Sequence, residues 1–338
     1  MLASLASRSK LVRRAWSTAQ GLRARLPHRP FPVILNYHRI AEEPFDPWGV
    51  AISPANFRDH LQWLSRNRTV LPLREFAQLH RRGKLPRNAI AITLDDGYAC
   101  NSQVAAPLLK QFRLPATFFI PAELIERGAR YWWDELEDMI LNHAGSTLTL
   151  DGDEIPLGTK SSADRQWLPG SPPLTPRQRT FYQLHVRLSR KPAADIDRAM
   201  NGLRAQAKPP TSAAPLKRPM TPDEVRGSVN GYVEFGSHGL RHGWLPNLDL
   251  AEQEDEISGS VERCASLTGS RPAAFAYPYG MFDRRSERLT QEAGFDCACT
   301  TRNVGVSRVS RSFALPRVQV GNNDSAGLQR TLARVRAD

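Results

Sequence analysis

Two adjacent carboxylates end an apolar run in the stretch IAITLDDGYACN. Asp95 and Asp96 follow this run, and Gly97 comes directly after them. Neighbouring carboxylates repel each other and lose hydration when they are buried, so the arrangement needs something that offsets both costs. A divalent cation could bind one carboxylate and leave the other free to take a proton. The stretch therefore indicates half of a hydrolytic site.

The stretch GSHGLRH contains two imidazoles that could complete such a cation site. His238 and His242 are four residues apart, a spacing that puts both rings on one side of a helical turn. Zinc often takes imidazole and carboxylate ligands and keeps one position for water, whose pKa it lowers to about 7. Each motif alone is common as a surface histidine pair or as a turn. Only the combination predicts a metal-dependent hydrolase.

These polar residues lie where predicted strands stop. Apolar segments alternate with helical patterns along most of the chain, which favours a parallel sheet or barrel. In a parallel α/β barrel, reactive side chains gather at the carboxyl ends of the strands, and His38 and the stretch YPYG also follow strands. The predicted strands are residues 31–40, 90–94, 116–120, 231–238, 273–280, 295–301 and 315–320.

The middle of the chain, about residues 143–222, has a different character. It is rich in proline, serine and charged residues, and the stretch LTLDGDEIPL predicts a hairpin with an Asp-Gly turn. A helical stretch and a proline-rich exit follow. We interpret this region as an insertion over one face of a domain that spans residues 31–338.

Composition and charge limit the classes of function. The chain has 338 residues and a formal net charge of +12, which could favour an anionic glycan, a membrane surface or nucleic acid. The arginines are spread along the whole chain and form no basic stripe with aromatic residues, which argues against nucleic acid. The four cysteines form no CxxC pair, and this excludes zinc-ribbon and thioredoxin-like redox motifs.

The basic segment 1–30 lacks the unbroken apolar stretch of a secretory signal, because Lys10, Arg13 and Arg14 interrupt it. It could be an amphipathic helix on an anionic membrane surface, a transit peptide or a partly disordered basic helix. No window of the sequence is apolar enough for a membrane span. We expect a cytoplasmic protein, with the inner membrane as a candidate for peripheral contact through this segment.

Taken together, the motifs resemble those of the polysaccharide deacetylases, the NodB-homology group also called carbohydrate esterase family 4. ITLDDGYACN is similar to the TFDDG motif of this family, EFGSHGLRH to its His-(Ser/Thr)-x-x-His motif, and FAYPYGMFD to its Arg-x-Pro-Tyr-Gly motif. The likeness covers about residues 31–320 and extends to members linked to bacterial surface-polysaccharide biosynthesis. It implies a distorted (β/α) barrel of the NodB-like type that carries a helical and loop insertion.

The resemblance also implies roles for the matching residues. Asp95 would be the general base. Asp96 would bind a divalent metal ion, most often zinc, together with His238 and His242. The backbone N–H of Tyr279 would help to stabilise the oxyanion of the tetrahedral intermediate.

Three further residues are candidates for shaping the site or contacting the substrate. Pro278 and Gly280 would shape the loop that presents this N–H group. Trp133, in the stretch YWWDELEDMI, would be either a packing residue or part of a lip on which a sugar stacks.

The sequence departs from the family pattern at three places. Gly239 stands where the family has serine or threonine, and Ala276 stands where it has the arginine that pairs with the base. The final Leu-x-His motif, which supplies the general acid, has no match, since FALPRVQV contains no histidine. We expect Arg317 to provide the missing guanidinium near Asp95. His38 is the candidate for the general acid or for substrate binding.

The function that fits these residues best is a metal-dependent hydrolase that removes N-acetyl groups from amino sugars of a polysaccharide or its lipid-linked precursor. This is hydrolysis of a carbon–nitrogen bond other than a peptide bond, with metal-activated water as nucleophile and Asp95 as proton acceptor. Two alternatives stay open. The same site could hydrolyse O-acetyl esters, or the departures could mark a non-catalytic glycan-binding or assembly protein with a degenerate site.

Overall fold

In the computed structural model, which describes residues 30–207 and 215–338, the strands that precede the polar motifs form one curled parallel sheet. These strands are β1 (Val33–Tyr37), β4 (Thr69–Val70), β5 (Ala89–Leu94), β6 (Ala116–Ile120), β9 (Val233–Ser237), β10 (Ala274–Ala276), β11 (Cys297–Cys299) and β12 (Val318–Gln319). Their order is β11-β10-β9-β6-β5-β1-β12, and β4 pairs with β5 outside this path. The predicted distorted (β/α) barrel is confirmed, as a sheet curled into a half-barrel.

Helices alternate with these strands, as the sequence pattern predicts. Every residue of β1, β5 and β6 is buried, so both faces of these strands are covered, as is typical of parallel sheets. The helices are α1 (Pro54–Asn67), α2 (Leu73–Arg81), α3 (Ala106–Phe112), α4 (Ala122–Arg127), α5 (Trp132–Asn142), α6 (Pro176–Ser189), α7 (Ala193–Gln206), α8 (Pro222–Ser228), α9 (Leu250–Glu254), α10 (Ser260–Thr268), α11 (Arg284–Glu292) and α12 (Ser325–Arg334).

Local sequence signals set several of these helix boundaries. The Ser53 hydroxyl accepts the Asn56 N–H at 3.1 Å and caps α1, which begins with proline. Thr221 and Glu224 form a capping box at the start of α8. Both helices therefore begin where the cap and the following proline place them.

The last strand segment connects the two ends of the sheet. Leu315 pairs with Cys299 of β11 through an isolated parallel bridge, and Val318 of β12 pairs with Leu35 of β1. Arg317 lies between these two contacts. The Arg317 side chain is fully buried at this position.

Most of the predicted insertion builds a second core beside the barrel. The hairpin of β7 (Thr147–Leu150) and β8 (Asp153–Pro156) turns through Asp151 and Gly152, whose φ angles of 56° and 87° fit a type I′ turn. Its apolar face packs with α5, α6 and α7, and this core includes Leu148, Leu150, Phe181, Leu184 and Met200.

One buried arginine holds the base of this region together. Arg177 is 0% exposed, and its guanidinium donates to the carbonyls of Ile140, His143, Gly145 and Gly158. The guanidinium thus satisfies carbonyls at the end of α5 and in the loops on either side of the hairpin, which would otherwise lack partners.

Residues Phe31–Asp338 form one compact unit. A separate short pair, β2 (Arg39–Ile40) and β3 (Ala51–Ile52), lies beside the end of β1. Within the described ranges, no helix has both the length and the apolar character that a bilayer crossing requires. The prediction of a basic membrane-contacting helix at 1–30 lies outside the described residues, apart from Pro30.

Candidate active site

Asp95 and Asp96 reach one centre because the chain leaves the sheet between them. The Asp95 N–H still donates to the Tyr37 carbonyl at 2.9 Å, whereas Asp96 has left-handed backbone with a φ of 70°. The Tyr131 hydroxyl donates to the Asp96 carbonyl and stabilises this conformation. Gly97 follows with a φ of 65°, and a Cβ there would meet an isoleucine methyl at 2.8 Å. The sequence Asp-Asp-Gly is therefore a turn that aims both carboxylates at the same space.

Asp96, His238 and His242 form a group that could hold a metal ion. Oδ1 of Asp96 lies 3.5 Å from Nε2 of His238 and 3.4 Å from Nε2 of His242. The three ligand atoms all lie within 4.8 Å of one another. Tetrahedral zinc with bonds of about 2.1 Å places neighbouring ligand atoms roughly 3.4 Å apart. The donor set and its spacing fit a zinc-sized divalent ion.

A hydrogen bond to the backbone fixes the orientation of His238. Its Nδ1–H donates to the carbonyl of Ala276 at 2.7 Å, which leaves the Nε2 lone pair free to face Asp96. Burial alone would raise the pKa of Asp96, but its interactions with His238 and His242 outweigh it and hold the pKa well below its usual value. The carboxylate is therefore ionised and ready to bind a cation.

His238 and His242 lie on a loop, so the prediction that they share a helical turn is wrong. The chain turns through left-handed backbone at Gly239 and at His242, with φ angles of 78° and 61°. These two turns bring the imidazole centroids to within 4.7 Å of each other. The spacing predicted the pair correctly, but the conformation that produces it is irregular.

A buried glutamate braces this histidine loop. Glu256, in a π-helical turn between α9 and α10, is 2% exposed. Its carboxylate accepts the N–H groups of Leu240 and Arg241 at 3.0 and 3.1 Å, and its other oxygen lies 2.9 Å from the Arg241 guanidinium. A Cβ on Gly239 would lie 2.7 Å from the same carboxylate. Serine or threonine would not fit there, so in this protein Gly239 replaces the family's hydroxyl residue and Glu256 supports the loop instead.

Arg317 and Asp95 form a buried bidentate ion pair. Nη1 of Arg317 lies 2.7 Å from Oδ1 of Asp95, and Nη2 lies 2.6 Å from Oδ2. The same guanidinium donates to the Thr300 carbonyl and to the Thr93 hydroxyl, which fixes its plane. Burial alone would raise the pKa of Asp95, but Arg317 and the nearby His238 outweigh it and lower the pKa below its usual value.

His38 faces the same carboxylate from the end of β1. Its Nε2 lies 3.9 Å from Oδ2 of Asp95, and Nε2 of His238 lies 4.0 Å from that oxygen. The His38 side chain is 15% exposed. A ring that is partly open to the cleft and close to Asp95 is in a position to exchange a proton with a bound molecule.

The YPYG stretch forms a tight turn next to the histidines. Tyr279 has left-handed backbone with a φ of 58°, and its carbonyl accepts the Thr301 hydroxyl at 3.3 Å. A Cβ on Gly280 would lie 2.0 Å from the Thr301 Oγ1, which explains why glycine is needed there. Pro278 is buried, and the Tyr279 ring lies 4.5 Å from that of His242.

Trp133 lies in the cleft, whereas its neighbour Trp132 packs into the core of the insertion. The Trp133 ring stacks on Tyr131 at 4.6 Å and lies 5.0 Å from the ring of His242. Its indole N–H donates to the Tyr98 hydroxyl at 2.8 Å. These contacts hold the half-buried indole beside the candidate metal ligand His242.

The cleft above these residues has a volume of about 400 Å³, within the size range of ligand pockets. Sequence reasoning missed part of its wall, because the residues come from the insertion and from the loop before β3. These are Trp48, Tyr182, His185 and Arg190. Burial and the proximity of His242 lower the pKa of His185 to about 4. Nothing in the sequence links the segments that carry them.

A curled parallel sheet with an aspartate–histidine–histidine group at the carboxyl ends of its strands is the architecture of a NodB-like deacetylase. Comparison with known families agrees, because the family described as polysaccharide deacetylase matches residues 82–145 and 183–298, together more than half of the chain. The chain belongs to the polysaccharide deacetylase family. The unmatched residues between the two segments lie within the predicted insertion.

Curated relatives include poly-beta-1,6-N-acetyl-D-glucosamine N-deacetylases from two bacteria. The Escherichia coli protein is 23% identical over 304 residues, which cover 88% of this chain and 38% of the relative. A Staphylococcus aureus protein is 30% identical over 99 residues, which cover 25% of this chain and 34% of the relative. The chain thus spans little more than a third of the length of these relatives.

Solved structures share the fold at low sequence identity. A Streptococcus pyogenes deacetylase, PplD, has a TM-score of 0.59 at 16% identity, covering 90% of this chain and 98% of that one. IcaB from Ammonifex degensii has a TM-score of 0.54 at 18% identity, covering 90% of this chain and 97% of that one.

Proposed function

We propose that this protein is a metal-dependent hydrolase that removes N-acetyl groups from amino sugars of a polysaccharide or its precursor. One observation carries the proposal. Asp95, a carboxylate paired with arginine, lies beside Asp96, which together with His238 and His242 could hold a metal ion. One aspartate could therefore bind the metal ion while the other accepts a proton, and metal-assisted hydrolysis of an amide uses both of these roles.

Asp96, His238 and His242 would hold the ion, and zinc is the best candidate for this donor set. When bound, the ion supplies Lewis acidity, which polarises the acetyl carbonyl and lowers the pKa of water. Glu256 and the Ala276 carbonyl orient the ligands before the ion arrives, since each fixes one part of the histidine loop.

Asp95 would accept the proton of the attacking water. Its lowered pKa keeps it ionised at neutral pH, and Arg317 holds both oxygens in one plane. The arginine that the family motif places at Ala276 is thus replaced from a different strand. The site keeps a carboxylate–guanidinium pair although the motif that normally supplies it is absent.

His38 would donate a proton to the leaving amine, because it approaches Asp95 from the open side of the cleft at 3.9 Å. The Tyr279 N–H would stabilise the oxyanion, a contact typically worth about 2.7–4 kcal/mol when it is preorganised. Pro278 and Gly280 would hold that peptide, and Trp133 would contact the sugar.

The names of the relatives suggest the substrate to test first, a β-1,6-linked N-acetylglucosamine oligomer. Purified protein is stripped of metal, reloaded with zinc and assayed for acetate release. We expect release from the wild type, loss in Asp95→Asn and Asp96→Asn, and no loss in Asp223→Asn, whose carboxylate is 91% exposed.

Two results would count against the proposal. Acetate release from O-acetylated but not from N-acetylated sugars would identify an esterase. A protein that binds no stoichiometric divalent ion, with Asp95→Asn equal to the wild type in every assay, would identify a non-catalytic glycan-binding protein.

A further inference from the structure

One wall of the cleft contains exposed aromatic rings. Among the described residues, the exposed large apolar side chains include two aromatic ones, Trp48 at 39% and Tyr182 at 40%. They stack on each other, with ring centroids 5.9 Å apart and an angle of 27° between their planes. Two exposed aromatic rings in one patch at a ligand cleft are characteristic of a binding surface.

The Trp48 ring has a rigid support. It packs on His185 at 4.6 Å, on Trp167 at 6.0 Å and on Phe181 at 6.1 Å, and Phe181 belongs to the core of the insertion. The indole orientation is therefore fixed before any ligand binds, which lowers the entropy cost of binding. His185, which stays neutral because burial lowers its pKa to about 4, adds no charge to this support.

The aromatic wall and the metal-binding group line the same cleft. Trp48, Tyr182, Asp96 and His242 all contribute to its surface. The insertion and the histidine loop also contact each other, since the Arg190 guanidinium lies over the Trp244 ring at 5.3 Å and the Asn247 side chain donates to the Arg190 carbonyl. The insertion is thus one fixed wall of the active-site cleft.

We propose that Trp48 and Tyr182 form a sugar-binding subsite that holds the pyranose unit next to the one being deacetylated. The apolar C–H face of a pyranose packs on an aromatic face, and its hydroxyls stay in water, which suits two partly exposed rings. The inference rests on the proposed function, because it assigns the substrate a second sugar unit. It implies that the enzyme prefers oligomers to a single N-acetylglucosamine.

The test compares Trp48→Ala and Tyr182→Ala with the wild type on a monosaccharide and on a β-1,6-linked pentasaccharide of N-acetylglucosamine. Each variant should lose about tenfold in kcat/KM on the pentasaccharide, as expected for truncating an aromatic anchor, and should match the wild type on the monosaccharide. Trp48→Phe should retain most of the activity. Leu174→Ala is the matched control, since Leu174 is a 73% exposed residue of the same insertion.

Calorimetric binding of the pentasaccharide separates this inference from the proposed function. If the wild type releases no acetate but binds the pentasaccharide, and Trp48→Ala weakens binding about tenfold, the subsite stands and the reaction does not. The subsite is overturned if Trp48→Ala and Tyr182→Ala bind and turn over the pentasaccharide as the wild type does. It is also overturned if both variants, with unchanged Tm, lose kcat/KM equally on the monosaccharide and the pentasaccharide.

Discussion

The ion pair of Arg317 and Asp95 leads to a prediction with a large expected effect. Arg317 is 0% exposed and Asp95 2% exposed, and two hydrogen bonds of 2.7 and 2.6 Å join them. Arg317→Met leaves a buried carboxylate without its partner, and breaking such a pair costs about 3–5 kcal/mol. The free energy of unfolding of an ordinary domain is about 5–15 kcal/mol, so the variant should lose a large fraction of it.

The measurement is urea unfolding at neutral pH, with the same zinc concentration for every variant. Arg311→Met is the matched control, because Arg311 is 61% exposed and pairs with Glu287 at 2.7 Å on the surface. It should cost only about 0–1 kcal/mol. In an Asp95→Asn background, Arg317→Met should cost less than in the wild type, because no buried charge is left unpaired.

The reasoning would be refuted if Arg317→Met lost no more stability than Arg311→Met. The same holds if its cost were identical with and without the Asp95 carboxylate, since the cost would then come from packing alone. Deacetylation by Arg317→Met should also fall at neutral pH, because burial without the guanidinium raises the pKa of Asp95 and protonates the proposed base.

The remaining predictions concern the histidine loop and the wall of the cleft. Glu256→Gln should weaken zinc affinity about 10–100-fold, measured by competition with a chromophoric chelator, and an unchanged affinity would show that the brace does not matter. Gly239→Ser should lower the free energy of urea unfolding by about 1–3 kcal/mol, because of its φ of 78° and the 2.7 Å approach to Glu256. Chelation of the metal should lower Tm, since an ion at a hundred times its Kd stabilises the folded state by about 2.7 kcal/mol. As a control, Asp96→Asn should have the same Tm with and without zinc. His185 has a folded pKa of about 4 against an ordinary value of 6.5, so the unfolded chain binds more protons between these values and stability falls as pH drops through that window. His185→Gln should remove up to about 3 kcal/mol of this loss between pH 7 and 4, as seen by comparing urea unfolding at both pH values.

The sequence was informative wherever a motif is contiguous. Asp95, Asp96 and Gly97 are adjacent, so a strand end followed by a turn could be predicted from residue types alone. His238 and His242 are separated by three residues, and their role as a pair could be predicted although the helical turn was wrong. A short segment has few ways to place two ligands together, but its backbone conformation depends on what supports it.

That support comes from distant parts of the chain. Glu256 holds the histidine loop from a helix that follows it, and the close approach of its carboxylate is what excludes a side chain at Gly239. From the sequence, Gly239 could be recognised only as a departure from the family pattern. Its cause is a contact between elements, which residue periodicity does not encode.

The sequence by itself determined the alternation of strands and helices, the candidate metal ligands and the turn that separates the two carboxylates, because these depend on local periodicity and adjacent residues. Only the tertiary structure decided that Arg317 meets Asp95 and that Trp48 stacks on Tyr182 in one wall of the cleft. The segment between β11 and β1 places Arg317 beside Asp95, which is 222 residues away in sequence, and the insertion core supports the aromatic wall. These contacts result from the packing of whole elements. What the buried charge of Arg317 and the exposed ring of Trp48 can do depends on the residues that this packing places beside them.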